Sequence, residues 1–571
     1  MGADSAWDLF THSAHSVLWL LIVPLTIILV GPAIRPAQAV HHFTFHRMQH
    51  YEFGGSVRGS PGVALNCEVR TLFAASVARR CLVLSWKEFL SADLTSIVNK
   101  GIVALVIAVP QNLSSILGED RDLFIETEQT LLGLELQIPV YMVEVTPTVT
   151  EWLGSLSLHL GHSAPQTATE ELLQQVTGDY YYLSSSLYAP KQITDVKITN
   201  FVGRLGQGPA IASESQPVIL LVAHLDAAGI APSLSYGANS DASGVAVILE
   251  TIRVLEKLFK SQKSPPKSDI MVLVSGAGKF NYFGTKKWLD ETAEGSDAAL
   301  LTRIQYAVCL DGVGKSDQLR AFVSRPPREG SASFRVLEAL NFTATDMSSS
   351  PIALVHKKIN LAEDELAWEH EQFSLAKVPA FTLSTLVGNR PSERKSILDS
   401  SSGVDIDKLT EVTHILAKTL AAEMYGLNDS DTNVLHSSFL AVSRENLVSW
   451  MDLLTQQPRS LQTLVPEHPA VSAVKDYLTR HLSELNIKQL TTDKGDSDLV
   501  LYGPLEVSVT ASRTKQPFFD LLVTTIIGIY GGILFLLIQY VDVIGLMRKL
   551  LTPLVVGSGV KLRTVKSLKY Q

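Results

Sequence analysis

Pro217-Val-Ile-Leu-Leu-Val-Ala223 leads into His224-Leu-Asp226, and a short way on comes Gly237-Ala-Asn-Ser-Asp-Ala-Ser-Gly244. An apolar run without a polar interruption is what a strand buried on both faces of a sheet requires. From Ser243 to Lys260 the apolar residues recur at helical spacing, and a polar, Pro-containing linker, Ser261 to Ser268, follows. Strands and helices keep alternating downstream: Ile270 to Val274, a helix start at Phe283 to Leu289, then Tyr306 to Leu310 and Val378 to Leu383. This alternation predicts a doubly wound α/β domain over residues 201–426. In such a sheet the carboxyl ends of the strands are where loops converge on a ligand, and His224 and Asp226 stand at one of them.

Upstream, residues 40–200 predict a smaller α/β unit, with buried strands Val103 to Val109 and Ile138 to Val143 around a helix Asp120 to Leu134. It carries no catalytic motif. Residues 427–516 read as helical and then more polar, with a few short strands, and lead to an uncharged run from Leu521 to Val541. At 1.5 Å per residue that run spans about 31 Å, enough for a bilayer core, so a transmembrane helix is expected over 517–541. Beyond it Arg548, Lys549, Lys561, Arg563, Lys566 and Lys569 face only Asp542, which marks the tail 542–571 as cytosolic and the body as lumenal. At the other end Val17 to Val30 precedes Ala37-Gln-Ala39, a signal-peptide pattern over residues 1–39. Pro24 and an n-region bearing Asp4 and Asp8 instead of Lys or Arg leave an uncleaved anchor as the alternative.

Composition narrows the class. With 571 residues, 46% apolar and 18% charged, the chain is long enough for two or three domains and a large core. A net charge of −9 gives no reason to expect nucleic acid, and a mean hydropathy of +0.18 favours membrane segments. Three cysteines make no disulfide framework, although Cys67 and Cys81 could pair in an oxidising compartment. Asn112, Asn341 and Asn428 head Asn-x-Ser/Thr triplets and are candidate glycosylation sites, in keeping with lumenal exposure.

Asp311 follows the strand ending at Leu310, and His370 precedes the strand from Val378, so His224, Asp226, Asp311 and His370 gather at strand ends. Zinc takes His nitrogen and carboxylate oxygen at about 2.0–2.2 Å, with a carboxylate behind each His to orient it. Singly, each residue would serve equally as a cap; in this order they point to a metal cleft. Residues 215–385 resemble the M28-type zinc aminopeptidases. The resemblance rests on His224-x-Asp226, Gly237-Ala-x-x-x-Ala-Ser-Gly244-Val-Ala, Lys279-Phe-Asn-Tyr-Phe-Gly284-Thr, Leu310-Asp311-Gly-Val-Gly314 and His370-x-x-Phe373-x-x-Ala-x-Val-Pro379-Ala. It implies that His224, Asp311 and His370 match metal ligands and that Asp226 matches the residue orienting the first His. The metal-bridging Asp would fall on Ser240, and the general-base Glu and its neighbouring ligand Glu on Gly278 and Lys279.

Those departures decide the chemistry. Ser240 has no carboxylate with which to bridge two dications, and Asp241 would substitute only if the turn slipped by one residue, against the intact Ala-Ser-Gly. Gly278 removes a proton acceptor typically worth about 10²–10⁴ in rate. Lys279 sets a charge of +1 beside a dication, a cost of about 8 kcal/mol at about 4 Å and an effective dielectric of about 20. The expectation is therefore a domain that is no enzyme, with no cofactor and no metal, retaining vestigial positions at His224, Asp226, Ser240, Gly278, Lys279, Asp311 and His370.

Over most of its length, through Gly276-Ala-Gly-Lys-Phe-Asn-Tyr282, Val355-His-Lys-Lys-Ile-Asn-Leu-Ala-Glu-Asp364 and Ala367-Trp-Glu-His370, the chain resembles the nicalin family, distant relatives of nicastrin. The resemblance implies a single-pass type I glycoprotein of the endoplasmic-reticulum membrane without peptidase activity. It implies partners as well: the Nodal modulator protein, a small multispanning membrane protein, and the ribosome-associated Sec61 translocon for multi-pass membrane proteins, with a link to Nodal signalling. A nicastrin-like peptide receptor and an active membrane-bound zinc aminopeptidase are the alternatives.

Overall fold

The computed structural model describes residues 39–540 except 73–76, 135, 161–179, 186, 188, 195, 206–215, 263–264, 316, 348, 364, 390–392, 428–440, 492–498 and 515–516. The signal-like segment, the Asn428 triplet and the basic tail lie outside the described residues. The chain divides into two compact units, the larger comprising residues 42–160 and 183–510.

In the larger unit the expected strand folds as Val218–His224, every residue buried. It lies inside an eight-stranded mixed sheet ordered Ala353–His356, Arg320–Val323, Ala380–Ser384, Ile304–Leu310, Val218–His224, Asp269–Ser275, Lys197–Leu205 and Glu484–Thr491. Val218–His224 pairs in parallel with Asp269–Ser275 on one side and Ile304–Leu310 on the other. Its alternate residues feed different layers. Ile219, Leu221 and Ala223 join the helices Ser243–Ser261 and Ile406–Tyr425 in one core, while Val218, Leu220 and Val222 meet Trp288, Leu289 and Phe373 in another. Both faces are thus covered by helices, and that is why no polar residue is tolerated along the strand. Residues beyond 427 do more than lead toward the C-terminus: Glu484–Thr491 adds an edge strand antiparallel to Lys197–Leu205.

A second sheet holds the upstream strands. Asn66–Thr71, Cys81–Ser85, Ala104–Pro110 and Val140–Val145 pair in parallel, with the helix Glu119–Gly133 crossing between the last two. Cys67 and Cys81 are buried free thiols on neighbouring strands.

The helix Glu119–Gly133 clamps the segment 393–399. Arg121 pairs with Glu393 at 2.7 Å, Gln129 donates to the Lys395 carbonyl at 2.8 Å, and Glu128 Oε1 accepts from the Ile230 and Ile397 amides at 2.9 and 3.1 Å. Ile230, Ile397 and Leu398 belong to the same apolar core as the upstream sheet. The segment is therefore packed and hydrogen-bonded onto the small α/β layer.

In the smaller unit, the run expected to cross a membrane folds as one helix, Pro517–Tyr540. Leu521, Ile526, Ile529 and Phe535 along it are exposed. Side chains are described only for its middle part, and among the described residues no helix is long and apolar enough to cross a membrane.

Burial raises the Glu128 pKa to about 7, against the partial relief given by Ser396 and the two amides. An acid whose folded pKa lies above its unfolded value holds its proton longer in the native state, so stability falls as pH climbs from about 4.5 to about 7 and is level beyond. Urea unfolding across that range should show a loss of about 3 kcal/mol attributable to this group. In Glu128→Gln that part of the slope should vanish.

Candidate functional site

The carboxyl ends of the central strands meet in a buried polar cluster. His224 closes its strand, Asp311 follows Leu310, and the loop after Ser275 brings in Gly278 and Lys279. His224, Asp226, Ser240, Asp241, Lys279, Asp311, Glu369 and His370 are all buried.

The turn between Gly237 and Ser243 determines which side chain faces His224. Ala238–Ala242 is a π-helical turn closed by the Ala242 amide on the Gly237 carbonyl at 3.0 Å, and Gly237 enters it at φ +61°. A Cβ on Gly237 would stand 2.0 Å from the Asp241 carboxylate, so glycine is required both for the backbone and for space. The wider turn, with one residue more than an α-helical turn holds, carries Asp241 inward. The motif resemblance implies Ser240 at the inward position; in the structure Asp241 takes it. Its Oδ1 lies 2.9 Å from His224 Nε2 and 2.5 Å from Lys279 Nζ, while its Oδ2 accepts from Ser240 Oγ at 2.9 Å. The first two are ion pairs by distance and sit off the hydrogen-bond direction. Ser240 serves as a prop: its amide, with that of Asn239, donates to Asp399 at 2.9 and 2.8 Å.

Asp226 also differs from its expected role of orienting His224. Its two oxygens accept from the Gly278 and Lys279 amides at 2.6 and 3.0 Å and hold the loop that presents Lys279. Glu369 is the group on the far side of His224, at 3.3 Å from Nδ1, and it is itself fixed by Ser275 and Thr285. That loop departs from ordinary backbone geometry, since Ala277, Asn281 and Tyr282 all have positive φ. Each such residue costs on the order of 1–3 kcal/mol and persists only where its surroundings enforce it. Gly278 runs directly against the histidine, and a Cβ there would lie 2.3 Å from both Cβ and Cγ of His224. No side chain of any kind, a glutamate included, fits at 278 on this backbone.

Asp311 has a different partner. Arg394, from the clamped segment 393–399, meets it with both prongs: Nη2 to Oδ2 at 2.5 Å and Nε to Oδ1 at 3.2 Å. Arg394 also donates to the Ala367 carbonyl at 2.8 Å and to the Tyr282 hydroxyl, and it stacks on Trp368 at 4.5 Å. His370 stands apart from these pairs. Its Nδ1 meets Thr382 Oγ1 at 2.8 Å, its Nε2 has no hydrogen-bond partner among the described residues, and burial with the Lys357 charge lowers its pKa to about 3. It is neutral.

Burial and the Lys279 ammonium oppose protonation of His224, yet Asp241 and Glu369 prevail and raise its pKa to about 9. Asp241 is held low despite its burial, through Lys279 and His224. Burial works against the Arg394 charge, and Asp311 more than offsets it. The donor set does not fit zinc. A dication about 2 Å from Asp241 Oδ1 would coincide with the Lys279 ammonium, and the coordinating face of Asp311 is taken by a guanidinium. Among the described residues no group of three or more His, Cys, Asp or Glu side chains is arranged to hold a metal ion.

Above the cluster opens a cavity of about 760 Å³ that reaches Lys279, Tyr282 and Arg394 and is walled on its other side by Tyr51, Arg58 and Gln129. The sequence pointed to His224, Asp311 and Lys279 here. Asp241 entered only as a one-residue slip that the intact Ala-Ser-Gly argued against, and that slip is what the structure shows. The sequence gave no local sign of Arg394, Asp399 or of Arg459, which donates to the carbonyls of Leu225, Tyr236 and Gly237 at 2.5–2.9 Å. Glu369 was adjacent to His370 in a quoted motif and could have been weighed as its neighbour.

Residues 200–425 match Peptidase family M28. A protein of Canis lupus familiaris called BOS complex subunit NCLN is 35% identical over 92% of this chain and 94% of its own length. A Caenorhabditis elegans protein called Nicalin is 28% identical over 91% of this chain and 94% of its own. Among solved structures, that of the gamma-secretase component Nicastrin superposes with a TM-score of 0.56 at 11% identity, covering 83% of this chain and 100% of that one, a likeness of fold.

Two outcomes follow from this geometry. Gly278→Ala should cost about 1–3 kcal/mol in chemical denaturation, because the new methyl overlaps the His224 ring. His224, with its folded pKa raised from 6.5 to about 9, contributes stability in full below about pH 6.5 and loses it as pH rises toward 9. That alkaline loss should be smaller in Glu369→Gln, as read from urea midpoints between pH 6.5 and 9.5.

Proposed function

This chain belongs to the nicalin family, whose vertebrate members are called BOS complex subunits, and we propose that it is a non-catalytic subunit of such a complex. The observation that carries the reading is the pairing of Asp241 with Lys279 and of Asp311 with Arg394, which leaves neither carboxylate free to hold a catalytic metal. Gly278 supplies no proton acceptor and admits none. A sheet with intact cores and a site closed by salt bridges works through its outer surfaces.

The same proposal covers its setting. Pro517–Tyr540 has 24 residues, about 36 Å at 1.5 Å each against a hydrocarbon core of about 30 Å, with exposed aliphatic side chains along it. It is read as the membrane span of a type I protein of the endoplasmic reticulum, the basic tail cytosolic and the body lumenal, with sugar on Asn112 or Asn341, both exposed. The partners are the Nodal modulator protein and a small multispanning membrane protein, in an assembly at the Sec61 translocon that supports biogenesis of multi-pass membrane proteins and bears on Nodal signalling. A nicastrin-like peptide receptor is the second reading, favoured by the cavity over Lys279 and Arg394.

Affinity purification of the full chain in mild detergent should bring down multispanning membrane partners and translocon components, while the purified protein releases no amino acid from peptide substrates. Recovery of a lone monomer would remove the scaffold reading. Ala362→Trp, which fills the cavity from an exposed position on its lining and removes no side-chain contact of the cluster, should leave assembly and client insertion unchanged. Intact assembly with failed client handling would instead favour the receptor.

A further inference from the structure

The eight-stranded sheet ends in an open edge. Ala353–His356 is its outermost strand and pairs with Arg320–Val323 in parallel. We propose that this edge is a docking site, at which an extended, acidic segment of a partner subunit adds a further strand to the sheet. This rests on the reading of the chain as a non-catalytic subunit of a complex, and it names the surface by which the chain holds a partner.

Backbone direction leaves the edge unpaired. The Ala353 amide donates to the Leu319 carbonyl at 3.1 Å and the Lys357 amide to that of Val323 at 3.0 Å. Successive residues of a strand point their amides alternately toward and away from the neighbouring strand, so Leu354 and His356 turn theirs outward. Among the described residues no other element pairs with them. Val355 faces inward onto the cluster of Phe322, Trp368 and Leu386, which fixes the strand in place. Leu354 is 53% exposed. Phe342 is 43% exposed and follows Asn341, whose side chain accepts the Ile352 amide at 2.9 Å at the head of the strand. Sheet edges are commonly covered, charged or broken by proline, and Ala353-Leu-Val355 has none of these protections.

The far end of the strand sets the chemistry of the occupant. His356 Nε2 meets the Ser324 carbonyl at 3.2 Å, and with the Lys357 amide on Val323 this lays Ser324-Arg-Pro-Pro-Arg-Glu329 beside His356-Lys-Lys-Ile-Asn-Leu361. These two stretches carry Arg325, Arg328, Lys357 and Lys358 against Glu329 alone, on a chain whose net charge is −9. Arg325, Arg328 and Lys358 are exposed, and among the described residues no salt bridge engages them. Unpaired cations at the end of an unpaired edge select a strand that brings Asp or Glu to that end and repel a basic one. Main-chain hydrogen bonds supply the affinity of such an added strand, and Leu354 with the basic end supplies its selectivity. A sugar on Asn341 would stand at the head of the strand and close the edge, so an open edge requires Asn341 to be bare and leaves Asn112 to carry the sugar.

The test uses the full chain in its assembly, extracted in mild detergent, with a photo-reactive benzoylphenylalanine in place of His356. Irradiation should join it to one stretch of a co-purifying subunit, and mass spectrometry should find Asp or Glu in that stretch. Leu354→Pro removes an outward amide and spares the bonds that Ala353, Val355 and Lys357 make to the neighbouring strand. It should lower both the crosslink and the recovery of that subunit about tenfold. Leu354→Asp serves if the proline variant does not fold. Arg325→Glu/Lys358→Glu should have the same effect, while Leu117→Asp, at an exposed leucine of the upstream layer, should change neither readout. Crosslinking to lipid alone, to a second copy of this chain or to a stretch without acidic residues overturns the proposal. So does a glycan on Asn341, or a Leu354→Pro protein that keeps its crosslink and its partner. If partners co-purify and none reaches position 356, this docking edge is refuted and the scaffold reading stands; if none co-purifies, both fall.

Discussion

One oxygen of Asp241 lies between a histidine and a lysine, all three buried, and the local architecture is arranged around keeping it there. A buried carboxylate is tolerated only with counter-charge and hydrogen bonds close by, and breaking such a group by removing one member is far costlier than never having built it. The π-turn after Gly237, the left-handed residues flanking Lys279 and the bare backbone at Gly278 each break a local preference. Each break serves the same contact.

The second consequence is mechanical. The segment 393–399 carries Arg394 into the cluster at one end and Asp399 under the π-turn at the other. The helix Glu119–Gly133 holds the same segment through Arg121, Glu128 and Gln129. Substitutions in the upstream α/β layer therefore act on the polar cluster through a short chain of direct contacts, although no upstream residue is itself part of the Asp241 group. The polar cluster at the strand ends is tied through this segment to the upstream sheet.

Much of the fold was legible because burial on both sides of a sheet leaves few choices along a strand. Val218–His224, Asp269–Ser275 and Ile304–Leu310 fall within a residue or two of the apolar runs that predict them, and Glu119–Gly133 within one residue of its predicted helix. The candidate site was legible in part. Motif order identified the loops at which His224, Lys279 and Asp311 would meet; the exchange of Ser240 for Asp241 was visible only as a slip that the intact Ala-Ser-Gly argued against, and that of Asp226 for Glu369 could not be read. A one-residue widening of a turn changes which side chain points inward and leaves the motif itself unaltered.

The sequence by itself determined the alternation of strands and helices, the loss of a carboxylate at 278 and 279, and the apolar run near the C-terminus. These are properties of residue type and period, and both are written along the chain. Only the tertiary structure decided what fills the cleft. Lys279 and Asp241, Arg394 and Asp311, and Glu369 and His224 are separated by 38, 83 and 145 positions. Pairing charges over such distances depends on where loops are returned by the packing of other elements, and no local preference encodes it.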